Sequence, residues 1–306
     1  MDLIEKMQIA NEDLDHLIQK DGGKFNCSCA DEAYAFCEKI AKGHYENFPV
    51  GSLFIPKAKR KHVFAVYCFA RIADDIADEL DLDKAARLKM LNDFDALQKK
   101  GYNDGNPVFM ALADTKDKLK IPDEPFTKLI RAFSRDVDFR QPEDMKDLFD
   151  YCSNSANPVG ELVLRIFGLY NEKTAKYSDN ICTALQLANF WQDFSLDLNK
   201  NRVYIPISLM TKYGINYIDA SSLAKNEKTG HLLNELYDLT QKLFEKGKPL
   251  IKYLKPLRLK WEITATIKGG ESILHKTRSL GNNIFFKRPK LTKADIFSIF
   301  IKSIRI

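Results

Sequence analysis

The segment YCFARIADDIADE (67–79) carries three aspartates in an otherwise apolar, helix-periodic run. Asp74 and Asp78 are four residues apart, so on a helix both carboxylates leave one face, about 40° apart. Phe64, Val66, Phe69, Ile72 and Ile76 predict that this helix is mostly buried. A carboxylate carried there must be paired, hydrogen-bonded or bound to metal. A second segment, QLANFWQDFSLDLNKNRVYIP (186–206), sets Gln186, Asn189, Asp193 and Asp197 at i, i+3, i+7 and i+11, within a helical sector of about 80°. A structural helix more often fills its inner face with Leu or Ala.

Two oxygen-rich stripes suit Mg²⁺, which takes one or two carboxylates per ion and completes its shell with phosphate and water. A diphosphate bridging the two helices would then lose its C–O bond as the metal neutralises charge on the leaving group. Arg71 and Arg202 could add charge-assisted hydrogen bonds to the phosphates. Either stripe alone reads as readily as a solvated helix edge; the pair, each with an arginine, favours metal. Zinc is disfavoured, because no His or Cys accompanies the carboxylates at ligand spacing.

The elements that must carry these groups are helices. Strand signals are scarce, and apolar residues recur at helical spacing with Pro and Gly between the runs. Helices are predicted at 30–43, 58–80, 84–99, 107–119, 124–134, 143–153, 157–169, 171–197, 207–213, 229–254, 258–278 and 291–304. Pro206 interrupts the pattern, and the polar stretch 215–230 reads as a loop. The chain reads as all-α. With neither a linker nor a repeat, residues 1–306 are expected to form a single domain, with 1–25 peripheral.

Of 306 residues, 45% are hydrophobic and 29% charged, with a net charge of +5. That surplus permits anionic ligands but is too mild to imply nucleic-acid binding. Six cysteines without paired CxxC spacing fit reduced thiols in a cytoplasmic protein. The acidic N-terminal stretch does not read as a secretory signal, and no uninterrupted apolar run is long enough to span a bilayer.

HYENF (44–48), YCFARIADDIADE, YCSNSANPVG (151–160), QLANFWQDFSLD and RVYIP (202–206) together resemble the squalene and phytoene synthase family. The resemblance runs from about Ala30 to about Phe300. ENFPV, SANPVG and NFWQD look most like its hydroxysqualene-forming members of the HpnC type. The resemblance implies an all-α isoprenoid-synthase bundle around a central cavity, with two or three Mg²⁺ ions when diphosphate is bound. Asp74, Asp78, Asp193 and Asp197 match the metal-binding aspartates. His44, Tyr67, Arg71, Gln186, Asn189, Arg202 and Tyr204 match positions lining the diphosphate and reacting carbons. Phe48, Ala156, Val159 and Gly160 match the prenyl-tail side, and Asn47 and Gln192 are counted among the substrate contacts. Pro158 and Gly160 read equally well as ordinary helix packing. His44 remains open between a core histidine, a phosphate donor and a proton acceptor.

Departures from the wider family bear on reaction type. Many phytoene and dehydrosqualene synthases read N-I-L-R-D-V-G-E-D where this chain has NFWQDFSLD (189–197), so Gln192 and Leu196 replace a cation and an acid. Glu46 stands where relatives often carry Lys, and Gly270 where they often place Tyr. The lighter positive charge fits an enzyme handling one diphosphate at a time. Presqualene diphosphate would ionise, rearrange and capture water held by Glu46, giving hydroxysqualene for hopanoid biosynthesis. No NADPH is expected, since no dinucleotide fingerprint is visible. The alternatives are a synthase condensing two prenyl diphosphates and, in another class, a non-catalytic assembly factor, which would be expected to have lost aspartates. The expected partners are the isoprenoid diphosphate itself and a presqualene diphosphate synthase supplying it, without nucleic acid. KAKRKH (57–62) and LTKADIFSIFIKSIRI (291–306) read either as peripheral contacts with the inner membrane face or as a solvated patch and an ordinary packed helix.

Overall fold

The computed structural model describes residues 16–17, 22–43, 55–78, 80, 82–100, 105–216 and 219–305. Among them no strand occurs. The helices are α1 (Ala30–Gly43), α2 (Lys57–Asp78), α3 (Lys84–Lys99), α4 (Pro107–Leu119), α5 (Glu124–Val137), α6 (Met145–Ser155) and α7 (Asn157–Ile166). They are followed by α8 (Glu172–Gln192), α9 (Phe194–Asn199), α10 (Ile207–Lys212), α11 (Ala220–Lys225), α12 (Thr229–Gly247), α13 (Leu257–Ser279) and α14 (Lys293–Ile304). Short 3₁₀ turns lie at Gly23–Phe25, Lys248–Tyr253 and Gly281–Phe285. The predicted all-α class is the observed one.

The helices group into two compact units. One comprises the described residues through Asp138 with Glu161–Tyr170, the other Phe139–Gly160 with those from Asn171 onward. In the first unit α2 is set by its apolar face: Phe64, Phe69, Ile72 and Ile76 are each at most 2% exposed. Phe69 stacks on Phe94 at 5.0 Å and meets Phe126 edge-on at 5.4 Å, while Phe94 packs against Phe109 at 4.8 Å. Aromatic pairs at these separations stabilise by about 0.5–1.5 kcal/mol beyond their area. Leu17 is buried, and its carbonyl accepts a 2.7 Å bond from Asn106 Nδ2, so this part of 1–25 packs into the unit.

In the second unit α8 is the central strut. Its start is fixed by a capping box between Asn171 and Thr174, which satisfies otherwise orphaned N–H groups. Its far end is anchored by Trp191, fully buried, whose Nε1 donates to Thr240 Oγ1 on α12 at 2.9 Å. Gly270 on α13 permits close approach, since a Cβ there would fall 2.6 Å from Leu185 and 2.7 Å from Phe244.

Several boundaries differ from the sequence reading, each for a local reason. The helix expected over 171–197 is interrupted at Asp193 (φ −97°, ψ 9°), where Phe194 turns in against Trp191 and Phe285. The one expected over 229–254 stops at Gly247 and continues as a 3₁₀ turn, because Pro249 supplies no N–H. The polar stretch 215–230 contains α11, capped by Asp219 accepting from Ser222 N at 2.8 Å. The run 157–169 ends early at left-handed Gly168 (φ 68°), with Leu169 N bonded back to Leu164 O.

Candidate active site

On α2, Tyr67, Arg71, Asp74 and Asp78 follow at steps of four, three and four, so they share a sector of about 60°, on the far side of the helix from Phe69, Ile72 and Ile76. The structure bears out that alignment: Tyr67, Arg71 and Asp74 are half-buried and Asp78 is exposed, while Ile72 and Ile76 are wholly buried. Asp75 lies outside the stripe, is 2% exposed, and forms an ion pair with Arg71 Nη2. Arg71 Nη1 also reaches Asp74 Oδ2 at 3.4 Å. Burial works against the charge on Arg71, but Asp75 and Asp74 outweigh it and hold the guanidinium pKa above its ordinary value. Burial raises the Tyr67 phenol. At the end of α2, Arg87 Nη1 donates to the Ala77 carbonyl, placing a cation where the helix dipole favours one.

The second stripe runs through the break between α8 and α9. Gln186 is half-buried, Asn189 exposed, and Asp193 and Asp197 half-buried. The break keeps the stripe together: Asp193 N donates to Asn189 O at 2.9 Å and Asp197 N to Asp193 O at 2.9 Å. Burial, then the neighbouring Asp193 carboxylate, pushes the Asp197 carboxyl up to about 6, against the pull of Arg202, Lys200 and Arg288. Asp193 is itself gripped by Arg288 through Nε and, at 3.3 Å, through Nη2.

Arg288 was not singled out in the sequence. It lies 95 residues from Asp193, and its only signal is the basic run KRPK (287–290). Gln192, counted as a substrate contact, is buried and donates from Nε2 to the Pro289 carbonyl at 2.8 Å. That bond fixes the segment presenting Arg288. Beyond α9 the chain turns at left-handed Asn201 (φ 55°), with Arg202 N bonded to Asp197 O at 2.8 Å. Tyr204 is buried with its ring stacked on Phe190 at 3.7 Å, so RVYIP is packed as well as placed near the stripe.

Of the residues expected to face a prenyl tail, Ala156 is half-buried and Val159 is 38% exposed. A Cβ on Gly160 would lie 2.3 Å from Ser178 Oγ and 2.6 Å from Cys182 Sγ. The missing side chain is therefore taken up by close approach of α7 to α8. Pro158 is buried in the first turn of α7, where its missing N–H costs nothing. His44, Glu46, Asn47 and Phe48 lie outside the described residues.

Among the described residues, no three His, Cys, Asp or Glu side chains converge as a ready-made metal cage. The donor set fits Mg²⁺ all the same. Each stripe offers two carboxylates one helical turn apart, the donor number this ion takes from protein when phosphate and water supply the rest. Burial first, and then the Asp193 carboxylate, raise the Asp197 pKa, so a cation held between the two would favour the charged form of Asp197.

An all-α chain with aspartates one turn apart on two helices, each beside arginine, has the isoprenoid-synthase fold. It belongs to the squalene/phytoene synthase family, whose model matches residues 41–295, and so to a group of enzymes acting on prenyl diphosphates. It is 32% identical over 231 residues to the hydroxysqualene synthase of Sinorhizobium fredii, covering 75% of this chain and 78% of that protein. It is 34% identical over 188 residues to the presqualene diphosphate synthase of Rhodopseudomonas palustris, covering 58% and 64%. Among solved structures, the squalene synthase HpnC of Alicyclobacillus acidocaldarius is similar with a TM-score of 0.77 and 35% identity, over 82% of this chain and 95% of that one.

Proposed function

We propose that this chain is a hydroxysqualene synthase. The C–O bond of presqualene diphosphate breaks with its electron pair leaving on the diphosphate, and the cyclopropylcarbinyl cation rearranges. Water adds to the new cation and loses a proton, giving hydroxysqualene and diphosphate without a reductant. The observation that carries this reading is Gln192: it is committed to the Pro289 carbonyl where condensing relatives have a cation, as expected of an enzyme neutralising one diphosphate. The likeness to hydroxysqualene synthase supports it.

Asp74, Asp78, Asp193 and Asp197 would hold Mg²⁺, which as a Lewis acid neutralises charge on the departing diphosphate. Arg71, Arg202 and Arg288 supply fixed cations beside those carboxylates, and Tyr67 adds a hydroxyl kept protonated by burial. Glu46 is assigned the role of orienting the captured water. Purified protein with Mg²⁺ should convert presqualene diphosphate to hydroxysqualene and make little product from farnesyl diphosphate, with NADPH leaving the product unchanged. Efficient condensation of farnesyl diphosphate would instead select the second reading, a presqualene diphosphate synthase, which the likeness to the R. palustris enzyme favours.

A further inference from the structure

The segment 286–306 carries six Lys or Arg against one Asp, a net +5. That equals the whole chain's surplus, so the other 285 residues balance at 41 basic and 41 acidic. The same segment exposes the most exposed large apolar side chains of the described structure: Phe297 at 67%, with Ile296 and Phe286 both at 55%. Ile304 adds a further 38%.

On α14 these groups are not scattered. Ile296, Phe297 and Ile304 fall within a sector of about 100°. The flank next to Ile296 faces the protein: Ser303 is buried, Ile299 is half-buried, and Asp295 Oδ2 takes Lys276 Nζ of α13 at 2.9 Å. The helix is capped at its start by Thr292, which exchanges bonds with Asp295. It therefore holds its form while keeping an apolar face outward. Lys293 lies at the N-terminal end of that face and Arg305 beyond its C-terminal end, both exposed; Lys287 and Lys290 are exposed just upstream.

We infer that the α14 face, with Phe286 and the surrounding lysines, docks this protein onto an anionic lipid bilayer. Twelve helical residues span about 18 Å, too short to cross a hydrocarbon core of about 30 Å. Indeed no helix of the described residues is long and apolar enough to cross a membrane. The helix suits the interfacial arrangement, apolar face in the acyl boundary and basic groups at the headgroups. Charge complementarity decides the occupant. A patch for a second copy of this chain would set +5 against +5, whereas anionic headgroups attract it. The inference stands whichever prenyl diphosphate is the substrate.

The test is flotation of the full chain with vesicles of phosphatidylcholine alone or mixed with phosphatidylglycerol, at low and high salt. The protein should float with the anionic vesicles at least about tenfold better than with neutral ones, and high salt should release it. Ile296→Glu/Phe297→Glu should abolish flotation with an unchanged melting curve, because both positions are exposed. Lys287→Gln and Lys290→Gln should each weaken binding about fivefold. Phe297→Trp provides a second readout: its emission should shift to the blue and be quenched by brominated lipid. Absence of flotation with anionic vesicles, or equal flotation of the double-Glu variant, overturns the inference. So does a wild-type dimer that the double-Glu variant dissociates while neither protein binds vesicles, which would make the face a contact between copies.

Discussion

The two aspartate stripes look alike in sequence and are built differently. The first rides on one unbroken helix and meets its arginine within a single turn, Arg71 with Asp75 and Asp74. The second crosses a helix break and takes its strongest partner, Arg288, from the far end of the chain. The Arg71–Asp75 pair beside the first stripe is nearly dry, with Asp75 at 2% exposure, although Asp74 within the stripe is 43% exposed; the second stripe's pair is solvated, with Arg288 and Asp193 at 35% and 28%. Local spacing can therefore both shape a site and hold it rigid. A long-range contact can tune a site while contributing little to stability.

The largest effect expected is on turnover, where the stripes should behave alike. Asp74→Asn and Asp193→Asn should each lower Mg²⁺-dependent kcat on the order of 10³-fold, as loss of several kcal/mol of leaving-group stabilisation requires. Melting temperatures should stay level or rise, since each change relieves carboxylate crowding. Near-normal activity of either variant in a steady-state assay would remove that stripe from the proposed metal site.

Stability should then separate them. Arg71→Met leaves Asp75 buried without this cation and should cost about 3 kcal/mol in urea unfolding. Arg288→Met removes only a solvated pair, and its effect belongs at the small end of the scale, below about 1 kcal/mol. Equal losses in the two unfolding curves would erase the distinction between a dry and a wet arginine.

Acid supplies an intermediate test on the first stripe's own helix. His62 is 5% exposed, and burial, helped by Lys61, Lys59 and Lys118 and opposed by Asp114, lowers its pKa to about 4. Its Nδ1 sits 3.0 Å from Thr115 Oγ1 and 3.2 Å from the Tyr34 hydroxyl. Tyr34 in turn donates to Asp114 at 2.7 Å and lies under Lys61 Nζ at 4.6 Å. The folded state keeps this imidazole neutral, whereas the unfolded chain takes up its proton below about pH 6.5. Stability is thus fully present above that pH and is lost as pH falls from about 6.5 toward 4, by about 2 kcal/mol at pH 4.5. Urea unfolding at pH 7.5 and 4.5 should show that loss in the wild type and much less of it in His62→Gln.

Gly160→Val sharpens the second region from a different side. Because the added carbons meet Ser178 and Cys182, overpacking should cost about 1–2 kcal/mol and reduce activity alike on C15- and C30-derived diphosphates. A selective loss of the longer chain, measured as separate kcat/KM values, would return Gly160 to a tail channel.

Sequence alone determined the all-α class and both stripes, because four residues in near-alignment on a helix is a local rule that needs no knowledge of neighbours. The helix around Asp74 and its arginine were legible for that reason. The break at Asp193 was not, since a buried Phe194 turning toward Phe285 is decided by packing across 91 residues of chain. Arg288 on Asp193, Gln192 on the Pro289 carbonyl, and Gly160 against α8 were likewise decided only in the folded chain. In each, the partner's identity depends on which distant surface arrives there, and residue spacing carries no record of it. The outward face of α14 lies between these cases. Its amphipathic pattern is written in residues 291–306, but only tertiary packing showed which side α13 covers and which is left for another surface.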